Sequence, residues 1–157
     1  MPVPILLPNG LLPKGEHECV LSEIKDAFVY NFERETVWKD LLKYLEKIRN
    51  FERIKEIYLD GSFTTDILVP GDIDVVVEFD SIIAWVLLHT ERPDLFDPEL
   101  ISKDYRLDVY PHAYNLREGE NDYIETFKSL KVEECRKRNL PPSTLRGILV
   151  VKHPFTL

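Results

Sequence analysis

The sequence has little cysteine and a shortage of positive charge, and each shortage removes a class of protein. Its two cysteines, Cys19 and Cys135, match no metal-binding or redox spacing. That excludes a disulfide framework and a zinc module, and predicts free thiols in a reducing, cytoplasmic setting. The four histidines, His17, His89, His112 and His153, include no pair at ligand spacing. No apolar run approaches the ~20 residues that cross a bilayer, so no membrane partner is expected. The opening MPVPILLPNGLLP is interrupted by prolines and follows no basic segment, unlike a signal peptide. Against 28 Asp and Glu stand only 20 Lys and Arg, a net charge of −8. A long nucleic acid, which needs a basic face, is therefore an unlikely partner.

What is present suits one globular domain spanning 1–157: 44% of the residues are hydrophobic and 31% charged. Residues 1–18, with Pro2, Pro4, Pro8 and Pro13, read as an extended Pro/Gly-rich arm. Ser22 is placed to cap a short helix ending near Phe28. Val37, Trp38, Leu41, Leu42, Tyr44 and Leu45 recur at helical spacing and predict a core-facing helix from about Glu35 to Asn50. Asp80 is placed to cap a mostly buried helix, Ser81 to Thr90. Arg92 to Asp104 reads as a loop or short helical turn. A strand follows over Tyr105 to Pro111, then a loop over 112–121, a helix over Tyr123 to Lys131 and a last strand over Gly147 to Val151.

The rest of the chain is organised around residues 54–80, IKEIYLDGSFTTDILVPGDIDVVVEFD. Ile54 to Leu59 reads as a strand that stops near Gly61, where the backbone can turn sharply. Ser62 is placed to cap a short helix, and such a junction offers free N–H groups and a hydroxyl to an anion. Pro70 and Gly71 make a second turn before a β-branched strand, Ile73 to Phe79. Asp72 and Asp74, two residues apart, project from one sheet face. Two carboxylates ~4–5 Å apart repel by ~3–4 kcal/mol at an effective dielectric near 20. Such a pair invites a hard, oxygen-seeking cation, Mg²⁺ or Mn²⁺. An anion cradle facing a divalent-cation site is what a nucleoside triphosphate needs. Asp108, flanked by Leu107 and Val109, is a lone charge in a strand and is costly unless paired, hydrated or metal-bound.

The ordered set GSFTTDILVPGDIDVVV resembles the motif of the DNA polymerase β-like nucleotidyltransferase superfamily: a Gly-Ser turn, a spacer, then Asp-x-Asp in an apolar strand. NGLLPKGEHECVLSEIKDAF, RLDVYP and RGILVV extend the resemblance to a small bacterial family of stand-alone minimal nucleotidyltransferase domains of unassigned function. The resemblance implies an α/β fold, a mixed sheet of four or more strands with packed helices. It implies transfer of an NMP from an NTP to a hydroxyl, with Asp72, Asp74 and Asp108 as catalytic metal ligands. Gly61 and Ser62 would then hold the phosphates. Arg146 stands where that pattern usually has a lysine before the last strand, and is expected at the nucleotide; the replacement keeps the charge but changes the donor geometry.

The acceptor is expected to be a partner protein, as for a toxin–antitoxin or defence module, or a small molecule, and a homodimer is compatible with so small a domain. Larger relatives add a helical domain that grips base and acceptor; none is expected within 1–157. Two other readings compete. One is a degenerate module that binds only nucleotide or a partner. The other is an RNA-modifying nucleotidyltransferase, supported by Lys128, Lys131, Arg136, Lys137, Arg138, Arg146 and Lys152, a basic run usually read as a solvated face.

Overall fold

The computed structural model describes residues 2–114 and 122–157. Its core is a five-stranded mixed sheet built from β1 (Gly15–Glu18), β2 (Ile54–Asp60), β3 (Ile73–Phe79), β4 (Leu107–Ala113) and β5 (Gly147–Lys152), in the order β1-β5-β2-β3-β4. The fold is α/β and single-domain, as the sequence predicts. β2 runs antiparallel to both β3 and β5, while β4 lies parallel to β3 and β1 parallel to β5. The inner strand β3, paired on both edges, has Val75, Val76 and Val77 buried in succession, because both of its faces are covered.

The two sheet faces differ. Alternation sends Ile57, Leu59, Val75, Val77, Leu107, Val109, Leu149 and Val151 into the main core. There they meet α1 (Leu21–Phe28) and α2 (Phe32–Ile48), whose buried stripe includes Val37, Trp38, Leu41, Tyr44 and Leu45. The Tyr44 hydroxyl donates to Leu95 O at 2.8 Å, which satisfies the one polar atom its ring carries into the core. On the opposite face Tyr58, Val76, Ile148 and Val150 are covered by Ile124 of α6 (Tyr123–Phe127). This face is only partly roofed, and its uncovered end carries the acidic residues.

Several boundaries depart from the sequence reading. The expected arm is not merely extended: Leu11 and Leu12 are buried, and Gly15–Glu18 adds an edge strand to β5. α1 starts at Leu21, where the Glu23 carboxylate accepts from Val20 N–H at 3.0 Å, so Ser22 lies inside the helix. α2 starts at Phe32, because Asn31 caps it through Arg34 N–H at 2.8 Å. α3 (Ile82–Glu91) is capped by Ser81, which accepts from Ala84 N–H, whereas Asp80 faces Arg53 at 3.4 Å. Only Ala84 and Leu88 of α3 are buried, while Ile83, Val86 and Leu87 are exposed; it flanks the sheet and does not cover it.

Residues 92–104 form two short helices, α4 (Pro93–Phe96) and α5 (Pro98–Asp104), each opening on a proline that already has helical φ. The expected helix from Tyr123 to Lys131 stops at Phe127, and a further helix, α7 (Val132–Lys137), follows it. β4 extends to Ala113, and most of the expected 112–121 loop lies outside the described residues.

A three-carboxylate cleft at the open end of the sheet

Asp74 is the second residue of β3 and Asp108 the second of β4, and the parallel register places them directly opposite each other. Asp72 precedes β3 in the turn after Pro70, on the same face. One oxygen from each of the three carboxylates lies within 4.8 Å of the others. Burial pushes the Asp72 carboxyl up to about 6, aided by a hydrogen bond with Asp108 and by the charges of Asp108 and Asp74. Asp74 is raised by the same two causes, burial first and then Asp108. Three carboxyl groups this close disfavour one another's ionised form, a repulsion that a bound cation would relieve. An all-oxygen set of mutually repelling carboxylates fits a hard divalent cation and offers nothing to a soft one.

The Gly61–Ser62 turn borders this cluster. Gly61 has φ +85°, and a Cβ there would overlap the Asp74 carboxylate, so only glycine lets the turn approach the acidic group. Ser62–Thr64 is a single 3-10 turn, not the expected helix. Ser62 is its first residue and not its cap, and among the described residues its hydroxyl makes no hydrogen bond. Thr65 shapes the turn: its hydroxyl donates to Ser62 O at 2.7 Å and accepts from Ile67 N–H at 3.2 Å.

Arg146 reaches the turn from behind. Its Nη2 donates to Gly61 O at 2.9 Å and to Thr64 Oγ1 at 2.8 Å, and lies 2.9 Å from Asp60 Oδ1. Its guanidinium thus braces the turn's own atoms, while the residue also lines the cleft. The contact with Asp60 is ionic and not a formed hydrogen bond, since Asp60 Oδ1 has no hydrogen-bond partner. Burial therefore outweighs the guanidinium and raises the Asp60 carboxyl to about 7.

These residues open into a cleft of about 780 Å³ that also takes in Thr126, Lys131, Glu133 and Arg138. The sequence reading gives neither Asp60 nor Lys131 a place in this site. Asp60 pairs with Asp74 across β2 and β3, a place that alternation with Tyr58 could have revealed. Lys131, read from the sequence only as a member of the basic run, sits between α6 and α7, and its charge favours ionisation of Asp72 and Asp74.

The basic run reads differently in three dimensions. Lys128 pairs with Glu125 and Glu16, Lys137 with Glu134, Arg138 with Asp66 and Glu134, Arg146 with Asp60, and Lys152 with Glu18. It is not an open basic face. Cys19 and Cys135 are buried free thiols. His112 has Nδ1 3.2 Å from Glu78 and Nε2 3.4 Å from Asp122, so carboxylates flank both nitrogens and tie the start of α6 to the sheet.

Fold and site together define a single-domain α/β protein with a three-carboxylate cleft beside a glycine turn. The chain belongs to a family of unknown function, DUF6932, whose model matches residues 4–152. No curated protein and no solved structure matches it. Among the described residues no helix is long and apolar enough to cross a membrane.

Proposed function

We propose that the protein is a divalent-cation-dependent nucleotidyltransferase that moves an NMP from an NTP onto a hydroxyl. The observation that carries this reading is the convergence of Asp72, Asp74 and Asp108 within 4.8 Å beside the Gly61 turn. Asp72, Asp74 and Asp108 would hold Mg²⁺ or Mn²⁺, which when bound supplies charge neutralisation at the transferred phosphate. The Gly61 turn lets phosphate oxygens approach the backbone, and the Ser62 hydroxyl is available to donate to them. Arg146 keeps that turn in place through Gly61 O and Thr64 Oγ1. Lys131 adds positive charge over the cluster from the other wall. A full set of carboxylates in register favours catalysis over a module that merely binds nucleotide or a partner.

The test is thermal and chemical. A bound cation stabilises the folded chain by about 2.7 kcal/mol at a hundred times its Kd, a shift of several degrees in Tm. Mg²⁺ or Mn²⁺ should produce that shift in the wild type, more so with ATP, and Asp74→Asn should abolish it. Asp74→Asn without cation should be no less stable than the wild type, because a like charge has been removed. Incubation with each labelled NTP and Mg²⁺, with and without cell extract, should label an acceptor, and Asp72→Ala should not. An unchanged cation response in Asp74→Asn removes that residue from the site.

A further inference from the structure

Beside the carboxylates the cleft has an aromatic wall that cation binding leaves unused. Tyr110 lies two residues beyond Asp108 on β4, so both side chains leave the same sheet face about 7 Å apart along the strand. Its ring centroid is 5.1 Å from that of Tyr123 and 5.0 Å from that of Phe127, in tilted and edge-on contacts. All three rings are only partly buried, and all three line the cleft with the carboxylates. Beneath them Tyr58, Val76 and Ile124 hold the wall in place.

The position of the wall decides what it serves. The Gly61 turn leaves the end of β2, which faces the start of β3, whereas Tyr110 lies on β4 and further along the sheet, with α6 packed across that face. The carboxylates stand between turn and wall. In nucleotidyl transfer the attacking oxygen and the departing pyrophosphate lie in line on opposite sides of the transferred phosphorus. With the β- and γ-phosphates against the turn, the attacking hydroxyl arrives from the wall.

We propose that Tyr110, Tyr123 and Phe127 form the acceptor subsite and that the acceptor is a phenol, such as a tyrosine side chain; this rests on the nucleotidyltransferase reading. The short stem of a serine or threonine hydroxyl would leave the wall uncovered. A nucleoside would interpose its sugar between base and oxygen, whereas Tyr110 is only two strand residues from Asp108. A phenol carries its oxygen on the ring that the wall holds. With a pKa near 10 it also releases its proton more readily than an aliphatic alcohol. In the transfer that proton passes to a cleft carboxylate and the phenol oxygen bonds to the α-phosphorus. The bond from that phosphorus to the β-bridging oxygen breaks, and pyrophosphate leaves with the electron pair.

The experiment uses the full chain and hexapeptides that differ only in carrying Tyr, Phe or Ser at one position, with adenosine as a fourth probe. Binding is read by saturation-transfer NMR with Mg²⁺ and α,β-methylene-ATP, and transfer by intact mass with ATP. The Tyr and Phe peptides should both bind through their rings, and only the Tyr peptide should gain a nucleoside monophosphate. Tyr123→Leu and Phe127→Leu, checked for folding by circular dichroism, should each weaken ring binding and raise the acceptor KM by about tenfold, leaving the KM for ATP unchanged. Tyr123→Leu serves alone if the other variant does not fold. Preferred labelling of the Ser peptide or of adenosine overturns the proposal, as does an absence of ring binding to the wild type. A rise in the ATP KM also overturns it and assigns the wall to the donor base. If Mg²⁺ with ATP does not stabilise the wild type at all, the nucleotidyltransferase reading falls and takes this one with it.

Discussion

Gly61 and Asp74 touch across a gap that admits no side chain, and that contact ties the glycine turn to the acidic cluster. Gly61→Ala should therefore act twice. It strains a backbone at φ +85° by roughly 1–3 kcal/mol, and it displaces a carboxylate from the cation. We expect a lower urea midpoint and at least a tenfold weaker Mg²⁺ response; a variant with wild-type Mg²⁺ affinity would show that the turn and cluster are independent. Asp72 supplies a pH signature. Its carboxyl is raised from the ordinary 3.8 to about 6, so between those values the folded chain holds a proton that the unfolded chain has released. Stability then falls as pH rises from about 4 to about 6, because the native state binds more protons there. Asp60, raised to about 7 chiefly by burial, continues the decline. Without divalent cations, Asp72→Asn should show a shallower fall in Tm over pH 4 to 6 and a higher Tm at pH 8. A slope as steep as that of the wild type would mean that Asp72 titrates normally.

At the level of elements, the loop between the Gly61 turn and β3 is held chiefly by α2, with Gly10 O and Arg138 securing Asp66. Arg34, in the first turn of α2 and fully buried, donates to the carbonyls of Phe28, Phe63, Thr65 and Ile67. Its guanidinium also stands over the Tyr30 ring, 4.6 Å from the centroid. One charged side chain thus satisfies the backbone of a segment that makes few ladder bonds, and fixes the side of the cleft on which Ser62 sits. Arg34→Met would leave those carbonyls without their donor, at a cost of about 3–5 kcal/mol. A loss under about 1 kcal/mol in equilibrium urea unfolding would assign the loop's order to some other contact. Because the loop leads into Asp72, Arg34→Met should also weaken the cation response.

Over the whole molecule, charge bears on the acceptor of the proposed transfer. A long polyanion needs one cation per phosphate contact, and this chain carries a net charge of −8. Among the basic residues near the C-terminus, Lys128, Lys137, Arg138, Arg146 and Lys152 are engaged in ion pairs. Incubation of the wild type with a bare RNA 3′ end, ATP and Mg²⁺ should give little or no extension at physiological salt. Robust extension would redirect the acceptor assignment to RNA and leave the cation site standing.

The sequence by itself determined the α/β class, both long central strands, the α2 stripe and the candidacy of Asp72, Asp74 and Asp108. Each of these is written in local order: alternation, helical period, a glycine before a polar turn, two acids separated by a single residue. Tertiary structure decided the rest, because the deciding contacts join residues far apart in the chain. The opening arm became a strand and buried Leu11 and Leu12 only because β5, more than 120 residues later, offered its edge. Asp108 met Asp74 through the parallel register of β3 and β4, which no local pattern encodes. Arg146 became a brace for the glycine turn through contacts across more than 80 residues. Tyr110, Tyr123 and Phe127 form one wall because α6 folds back over β4, and only that packing turns three ordinary aromatics into a surface beside the carboxylates.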